Sequence, residues 1–367
     1  MCRKEYQMIS NQILQNTIDG LKNIAHVDLC VLDIDGKEVA STTGDFGNIS
    51  TSARDFVNSP ADSQEVQGYQ FFKIYDEQQP EYILICSGSG DNIYMLGKMI
   101  AYQIQSLLVA YKERFDKDNF IKNLLLDNLL LVDIYSRAKK LHIQSDARRV
   151  AMIVECAGGR DTNVLELTRA CVQNGSDFVT EVDEENVIIV KDVSDLAKPA
   201  EIAGAAEGIL KNLEEEGLKD VRIAYGTVVG EIKEVSRSYK EAKMALDVGK
   251  IFFDERKVIC YTELGIGRLI YQLPIPLCKM FIKEIFGGKN PDDFDQETLT
   301  TIDKFFENSL NVSETSRQLF IHRNTLVYRL DKLQKSTGLD LRVFDDAITF
   351  KIALMVVRYM KYMEKFT

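Results

Sequence analysis

Apolar residues recur at helical spacing over residues 3–23, where Met8, Ile9, Ile13, Leu14, Ile18 and Leu21 share one face. The period then shortens. VDLCVLDIDGKEVAST (27–42) reads as strand, turn and strand, with Asp35-Gly36 as a strong hairpin signal. Residues 50–58 predict a short helix, and YQFFKIYDEQQPEYILICSG (69–88) predicts two strands about a polar turn at Asp76–Pro80. A long helix follows from roughly Asn92 through Lys117. Helical character continues with few breakers to about Lys140, with apolar positions at Met95, Met99, Tyr102, Leu107, Val109, Phe115, Phe120, Leu124, Leu131 and Ile134. That spacing is looser than a heptad. It predicts a connector that docks against a partner chain or the next domain rather than a free coiled coil.

From Arg148 the chain alternates strand and helix. RVAMIVECA (149–157) is a β-run, TNVLELTRACVQ (162–173) is helical and DFVTEVDEENVIIVKD (177–192) is a hairpin. A helix over 200–216, a strand at VRIAYGTVV (221–229), a helix over 231–248 and a short strand in KVICYTEL (257–264) complete an α/β domain. QLPIPL (272–277) and GGKNPDD (287–293) mark the boundary to a C-terminal, all-helical domain. There the pattern predicts a helix over 296–308. A second helix is capped by Ser313, favoured by Glu314 in its first turn, and buries Leu319 and Phe320. A turn at Ile321–His322 leads to a third helix, RNTLVYRLDKLQKSTG, that stops at Gly338.

Composition narrows the classes. A chain of 367 residues, 45% of them apolar, is long enough for two or three cores. NLLLDNLLLVDI (123–134) holds two carboxylates and is too short to span a bilayer, and the first residues contain no apolar leader, so a soluble cytoplasmic protein with no membrane contact is expected. The seven cysteines form no C-x-x-C pair and sit mostly in apolar stretches, which suits buried reduced thiols. The three histidines, His26, His142 and His322, have no neighbour at metal spacing, so neither metal nor cofactor is expected. The net charge of −11 excludes a nonspecific nucleic-acid coat. Yet residues 315–342 carry Arg317, Arg323, Arg329, Lys332, Lys335 and Arg342 against Asp331 and Asp340, a net +4 in one short stretch.

The third helix has separated faces. Leu326, Leu330 and Leu333 face the core, while Arg323, Asn324, Thr325, Tyr328 and Arg329 lie toward its N-terminal end. In a helix-turn-helix these first residues reach base edges. Arg pairs with guanine, Asn with adenine, and a Thr methyl meets the thymine methyl. Lys332 and Lys335, further along, suit phosphates, and Ser313, Arg317 and His322 complete the candidate DNA-binding set. His322 falls at the helix start and is expected to cap it. In the N-terminal part, Arg54 is the best candidate to hold an anionic effector, with Tyr69, Phe71 and Tyr82 as pocket or core. The Ala157-Gly158-Gly159-Arg160-Asp161 turn superficially resembles a cyclase loop but ends the first strand of its domain rather than sitting in the hairpin.

LFIHRNTLVYRLDKLQKSTGLDLRVFDDAITFKIAL (319–354) resembles the C-terminal helix-turn-helix of the CdaR/PucR family of bacterial regulators, matching L-F-x-H-R-N-T-L-x-Y-R-L…T-G-L-D-L without a gap. AYGTVVGEIKEVSRSYKEAKMALDVGK (224–250) is similar to that family's middle domain, and FIKNLLLDNL (120–129) to its connector helix. The resemblance covers about 118–360. It implies an α+β multidomain protein: a PAS/GAF-like sensor with flanking helices (1–117), a connector helix (118–147), a degenerate GGDEF-like α/β domain (148–290) and a helix-turn-helix domain (291–367). It further implies a ligand-responsive transcriptional regulator of carbohydrate-acid or related catabolism, not an enzyme. The expected partners are double-stranded DNA, a small effector such as an organic or sugar acid, and a second copy in a homodimer or higher even oligomer. The sensor lacks the His-x-Gly-Ala element of sugar-diacid regulators after its first hairpin, which leaves the ligand open. The alternative is a small-molecule or nucleotide-handling enzyme whose middle domain acts while the C-terminal helices only pack.

Overall fold

The computed structural model describes residues 10–42, 46–47, 49–88, 92–156, 164–172, 174–183, 186–196, 198–287 and 294–364. The chain divides into two compact units, Met1–Ile121 and Lys122–Thr367. In the first, Ser10 caps α1 (Asn11–Ala25), and β1 (Asp28–Asp33) and β2 (Glu38–Ser41) form the expected hairpin. α2 (Ser50–Val57), β3 (Ser63–Val66), β4 (Tyr69–Asp76), β5 (Gln79–Ser87) and the start of α3 (Ile93–Leu125) follow. The strands make one antiparallel sheet in the order β2-β1-β5-β4-β3. The central strands β1 and β5 read as apolar runs because both faces of the sheet are covered there. Leu29, Val31, Phe72, Ile74, Tyr82 and Leu84 pack with Leu14 and Ile18 of α1 and Ile100, Ile104 and Leu108 of α3. Cys30, Leu32, Phe71, Ile83 and Ile85 pack against Ala53 and Phe56 of α2. The edge strand β3, SQEV, was not expected; it has no buried residue and hence no apolar signal.

Burial pushes the thiols of Cys30 and Cys86 up to about 12, which leaves them poor nucleophiles and poor metal ligands at neutral pH. Among the described residues α3 is the one helix long and apolar enough to cross a membrane, with mean hydropathy 1.2 in its most apolar window. Ile100, Ala101, Ile104 and Leu108 of that window are buried against the sheet, while Met95, Met99, Tyr102 and Val109 are exposed.

The second unit opens with a break in the expected helical stretch. α3 ends where Asp127 takes a left-handed backbone (φ 57°), with Asp127 N donating to Leu124 O and Asn128 N to Asn123 O. α4 (Leu131–Lys140) then lies beside the turn at 231–234, where Tyr135 Oη donates to Glu231 Oε2 at 2.7 Å. Next come β6 (Arg149–Cys156), α5 (Val164–Cys171), β7 (Phe178–Glu181), β8 (Asn186–Asp192), α6 (Pro199–Glu215), β9 (Val221–Tyr225), α7 (Val235–Phe252) and β10 (Val258–Cys260). The sheet order is β10-β9-β6-β8-β7, antiparallel except for the parallel β9–β10 pair. α5 and α6 cover one face, and α7 packs along β6 and β9. The Gly158-Gly159 turn lies outside the described residues.

A buried polar knot ties α7 to the sheet. Ser238 Oγ accepts from Ala151 N at 2.9 Å and donates to Thr227 O at 2.7 Å. Thr227 N and Oγ1 both donate to Glu241 Oε2. Thr227, Ser238 and Glu241 belong to the 224–250 motif, so that motif is structural at its centre.

The remaining elements are helical: α8 (Gly267–Tyr271), α9 (Ile275–Phe286), α10 (Gln296–Glu307), α11 (Val312–Gln318), α12 (Arg323–Thr337) and α13 (Phe344–Glu364). α9 shares its buried face with the helices after it rather than with the sheet. Phe286 packs with Phe305, Leu326, Leu330 and Phe350, while Cys278 packs with Ile270, Val356 and Tyr359.

Candidate nucleic-acid interface

The helix pair α11–α12 is built from local signals. Asn311, not Ser313, caps α11: its Oδ1 accepts from Glu314 N at 3.1 Å. Asn is as strong a cap as Ser, and it stands two residues earlier, so Ser313 falls inside the first turn. Glu314 is then paired with Arg317 (2.5 Å), whose guanidinium holds that carboxylate below its usual range. α11 closes with Phe320 N donating to Arg317 O and Ile321 N to Ser316 O. His322 caps α12 as expected, its Nδ1 accepting from Asn324 N at 3.2 Å.

Leu326, Leu330 and Leu333 are buried in a core shared with Phe286, Ile302, Phe305 and Phe350. Asn324, Tyr328, Lys332 and Lys335 recur at i, i+4, i+8 and i+11 on the opposite side, and all are exposed. Arg323 and Thr325, in the first turn, are exposed as well. The stripe from Asn324 to Lys335 runs about 16 Å along the helix axis. A major groove about 12 Å wide therefore takes the first half of the helix and leaves the lysines near a phosphate backbone.

Two expected members sit differently. Leu319 is half-buried as anticipated, but Phe320 is 96% exposed on a left-handed backbone and makes no part of the core. The reason is directional: the turn after α11 swings the chain outward at that residue, so adjacency to Leu319 no longer implies a shared face. Arg329 is only 19% exposed. Its Nη1 donates to Thr301 Oγ1 at 3.0 Å and its Nη2 pairs with Glu297, so the guanidinium braces α12 against α10. No local pattern signals that bond, because Glu297 lies 32 residues away in sequence.

Pairing also thins the basic stretch. Arg342 bridges Asp331 and Asp340, and Lys332 stands 4.0 Å from Asp295. Backbone and side-chain bonds from Thr298, then Lys332 and Arg329, hold the Asp295 carboxylate low. Among the described residues, Arg323 and Lys335 pair with no carboxylate. Free positive charge thus stands at the two ends of the exposed stripe.

The effector candidates do not converge. Arg54 Nε donates to the Asp35 carbonyl at 2.5 Å and clasps the first hairpin turn. That turn is crowded: a Cβ on Gly36 (φ 74°) would lie 2.6 Å from Ser50 O. Phe71 is in the core beneath α2, and Tyr69 packs at its margin against Phe46. Tyr82 belongs to the opposite face of the sheet with α1 and α3.

Comparison with known proteins agrees with this layout. Residues 298–356 match the PucR C-terminal helix-turn-helix domain, and residues 128–248 match a GGDEF-like domain. The carbohydrate diacid regulator of Escherichia coli (strain K12) is 24% identical over 292 residues, 74% of either chain. The purine catabolism regulatory protein of Bacillus subtilis (strain 168) is 21% identical, covering 96% of this chain and 72% of its own. A proline-responsive transcriptional activator of the same organism is 25% identical over 186 residues, 48% of this chain and 44% of its own.

Proposed function

We propose that this chain, which belongs to the CdaR/PucR family of bacterial transcriptional regulators, reads its operator through the exposed stripe of α12. The protein is a ligand-responsive, DNA-binding regulator of small-metabolite catabolism. The observation that carries the reading is the phase of α12: Asn324, Tyr328, Lys332 and Lys335 stand opposite Leu326, Leu330 and Leu333, with uncompensated Arg323 at the capped end. Arg323 and Asn324 read bases, with Thr325 and Tyr328 beside them. Lys332 and Lys335 meet phosphates, His322 sets the start of the helix, and Ser313 and Arg317 flank it. Arg329 acts at one remove, by fixing the angle of α12. Arg323→Ala and Asn324→Ala should each weaken specific binding by about 1–3 kcal/mol and relax preference at particular bases. Lys335→Ala should weaken binding to all sequences and lower the salt slope by about one unit. If both reader variants stay folded by circular dichroism and bind a selected operator like the parent, α12 is not the reader.

We place the effector in the N-terminal sheet unit, which precedes both matched segments, and take an organic or sugar acid as its class. The relatives are named for carbohydrate diacid, purine catabolism and proline, which differ widely in chemistry and single out no one ligand. A thermal-shift series with the full chain should single out one acid. At a hundredfold excess over Kd a ligand adds about 2.7 kcal/mol of apparent stability. A response confined to purines or amino acids overturns the class. We assign the exposed Met95, Met99, Tyr102 and Val109 face of α3 to a second copy, giving a homodimer in the cytoplasm. Light scattering should return twice the chain mass, and a monomer with full operator affinity would refute it.

The GGDEF-like domain is read as non-catalytic. Two acids of this segment serve structure: Asp183 Oδ1 accepts from Asn186 N at 2.9 Å, and Asp177 pairs with Lys191 at 2.8 Å while accepting from Asp192 N. Incubation with GTP and magnesium should give no cyclic dinucleotide; turnover would revive the enzyme alternative.

A further inference from the structure

Among the described residues Phe320 alone combines a left-handed backbone, φ 54°, with a fully exposed large apolar side chain. The other non-glycine residues with positive φ are polar, apart from Leu310, which packs against the C-terminal core. The position is the second residue beyond α11, directly after the cap residue Leu319. There Phe320 N donates to Arg317 O at 3.2 Å and Ile321 N to Ser316 O at 3.1 Å, closing the helix with the bond pair that ordinarily selects glycine. A bulky residue in this region is strained, and glycine would adopt it freely. The ring gains nothing inside the chain in return, since water surrounds nearly all of it. Backbone strain persisting beside a binding surface points to a use outside the fold.

Resting on the reading of α12 as the DNA-contacting helix, we infer that Phe320 is a DNA contact that reads shape and methyl groups: its ring lies against thymine methyls or deoxyribose at the groove edge. Three observations select DNA over a protein partner. Phe320 stands three residues before Arg323 and two before the capping His322, so its surface is continuous with the start of the reading helix. Its nearest charged neighbours in sequence are Arg317, which Glu314 already neutralises, and Arg323, whose charge is uncompensated and favours a polyanion beside the ring. An aromatic ring also has suitable partners there, in the thymine C5-methyl and the faces of sugars and bases. The contact would add affinity without adding salt dependence.

The test begins by recovering the tightest duplex from a random-sequence pool with the full chain. If no sequence is enriched, the reading of α12 fails, and this inference with it. With a duplex in hand, Phe320→Gly should melt no lower than the parent, because glycine relieves the turn, yet bind that duplex about tenfold more weakly. The salt slope should be unchanged, unlike that of Lys335→Ala. Phe320→Tyr should keep most of the affinity, and Phe320→Asn, also at home in a left-handed turn, should repeat the loss. Replacing thymines of the duplex one at a time by deoxyuridine should weaken the parent at one position and leave Phe320→Gly indifferent there. Phe320→Gly binding within twofold of the parent overturns the inference. So does a variant that binds normally but no longer regulates transcription, since that would assign the ring to a protein partner.

Discussion

Leu330→Ala is expected to lower the stability of the C-terminal helices by about 2–5 kcal/mol and to remove DNA binding with it. Leu330 is 2% exposed, and it lies between Leu326 and Leu333 in a core with Phe305, Phe350 and Phe286. Phe286 and Phe294 meet Phe350 at 5.8 and 6.4 Å between ring centres, leaving rigid aromatic walls that close poorly over a lost isobutyl group. The hole therefore persists and costs more than transfer alone. Guanidinium melts followed by helical circular dichroism should show an early transition from this region. Arg323→Ala must be measured beside it, because that variant should lose operator binding with its melt unchanged. A Leu330→Ala midpoint equal to the parent's would mean that α12 is not seated in this core.

Gly226→Ala is expected to cost about 3 kcal/mol in the middle domain, near the upper end for overpacking. A Cβ there would sit 2.0 Å from the Ser238 carbonyl oxygen and 2.8 Å from its carbon. Those are backbone atoms of α7, so the clash cannot be relieved by a rotamer change. The shift it forces also strains the Ser238 hydroxyl bridge between Ala151 and Thr227. Ser238→Ala should cost about 1–3 kcal/mol by a different route, leaving a buried amide unpaired. Hydrogen exchange at β6 and α7 separates these losses from the other unit, where a single global melt would not. Unchanged protection in Gly226→Ala would show that α7 stands off the sheet.

How legible the molecule was depended on the range of the interactions. Leu326, Leu330 and Leu333 declared themselves because a helical period is local, and His322 did so because a cap needs only its own first turn. Ser313 has the residue type of a cap, but Asn311, an equal competitor two residues earlier, takes the position. The break at Asp127-Asn128 was hidden by the leucines around it, although Asp and Asn are the residues that tolerate a left-handed turn. β3 carried no apolar alternation, since it pairs by backbone at an edge. The effector candidates share residue type but not a face: Phe71 opposes Ile85 on one side of the sheet, while Tyr82 opposes Ile74 on the other. Arg329 was the deepest concealment, because its role depends on Glu297, a whole helix away.

The end of α7 has a consequence for operator architecture. Ile251 and Phe252 pack with Ile270, Cys278, Val356 and Tyr359, and Tyr271 Oη reaches back to Asp247 at 2.7 Å. The reading head is thus bolted to the α/β domain instead of trailing on a string. A head on a string can turn independently of its middle domain; a bolted one brings that domain to the DNA with it. The DNA that α12 meets must therefore leave room beside the helix-turn-helix for the α/β domain.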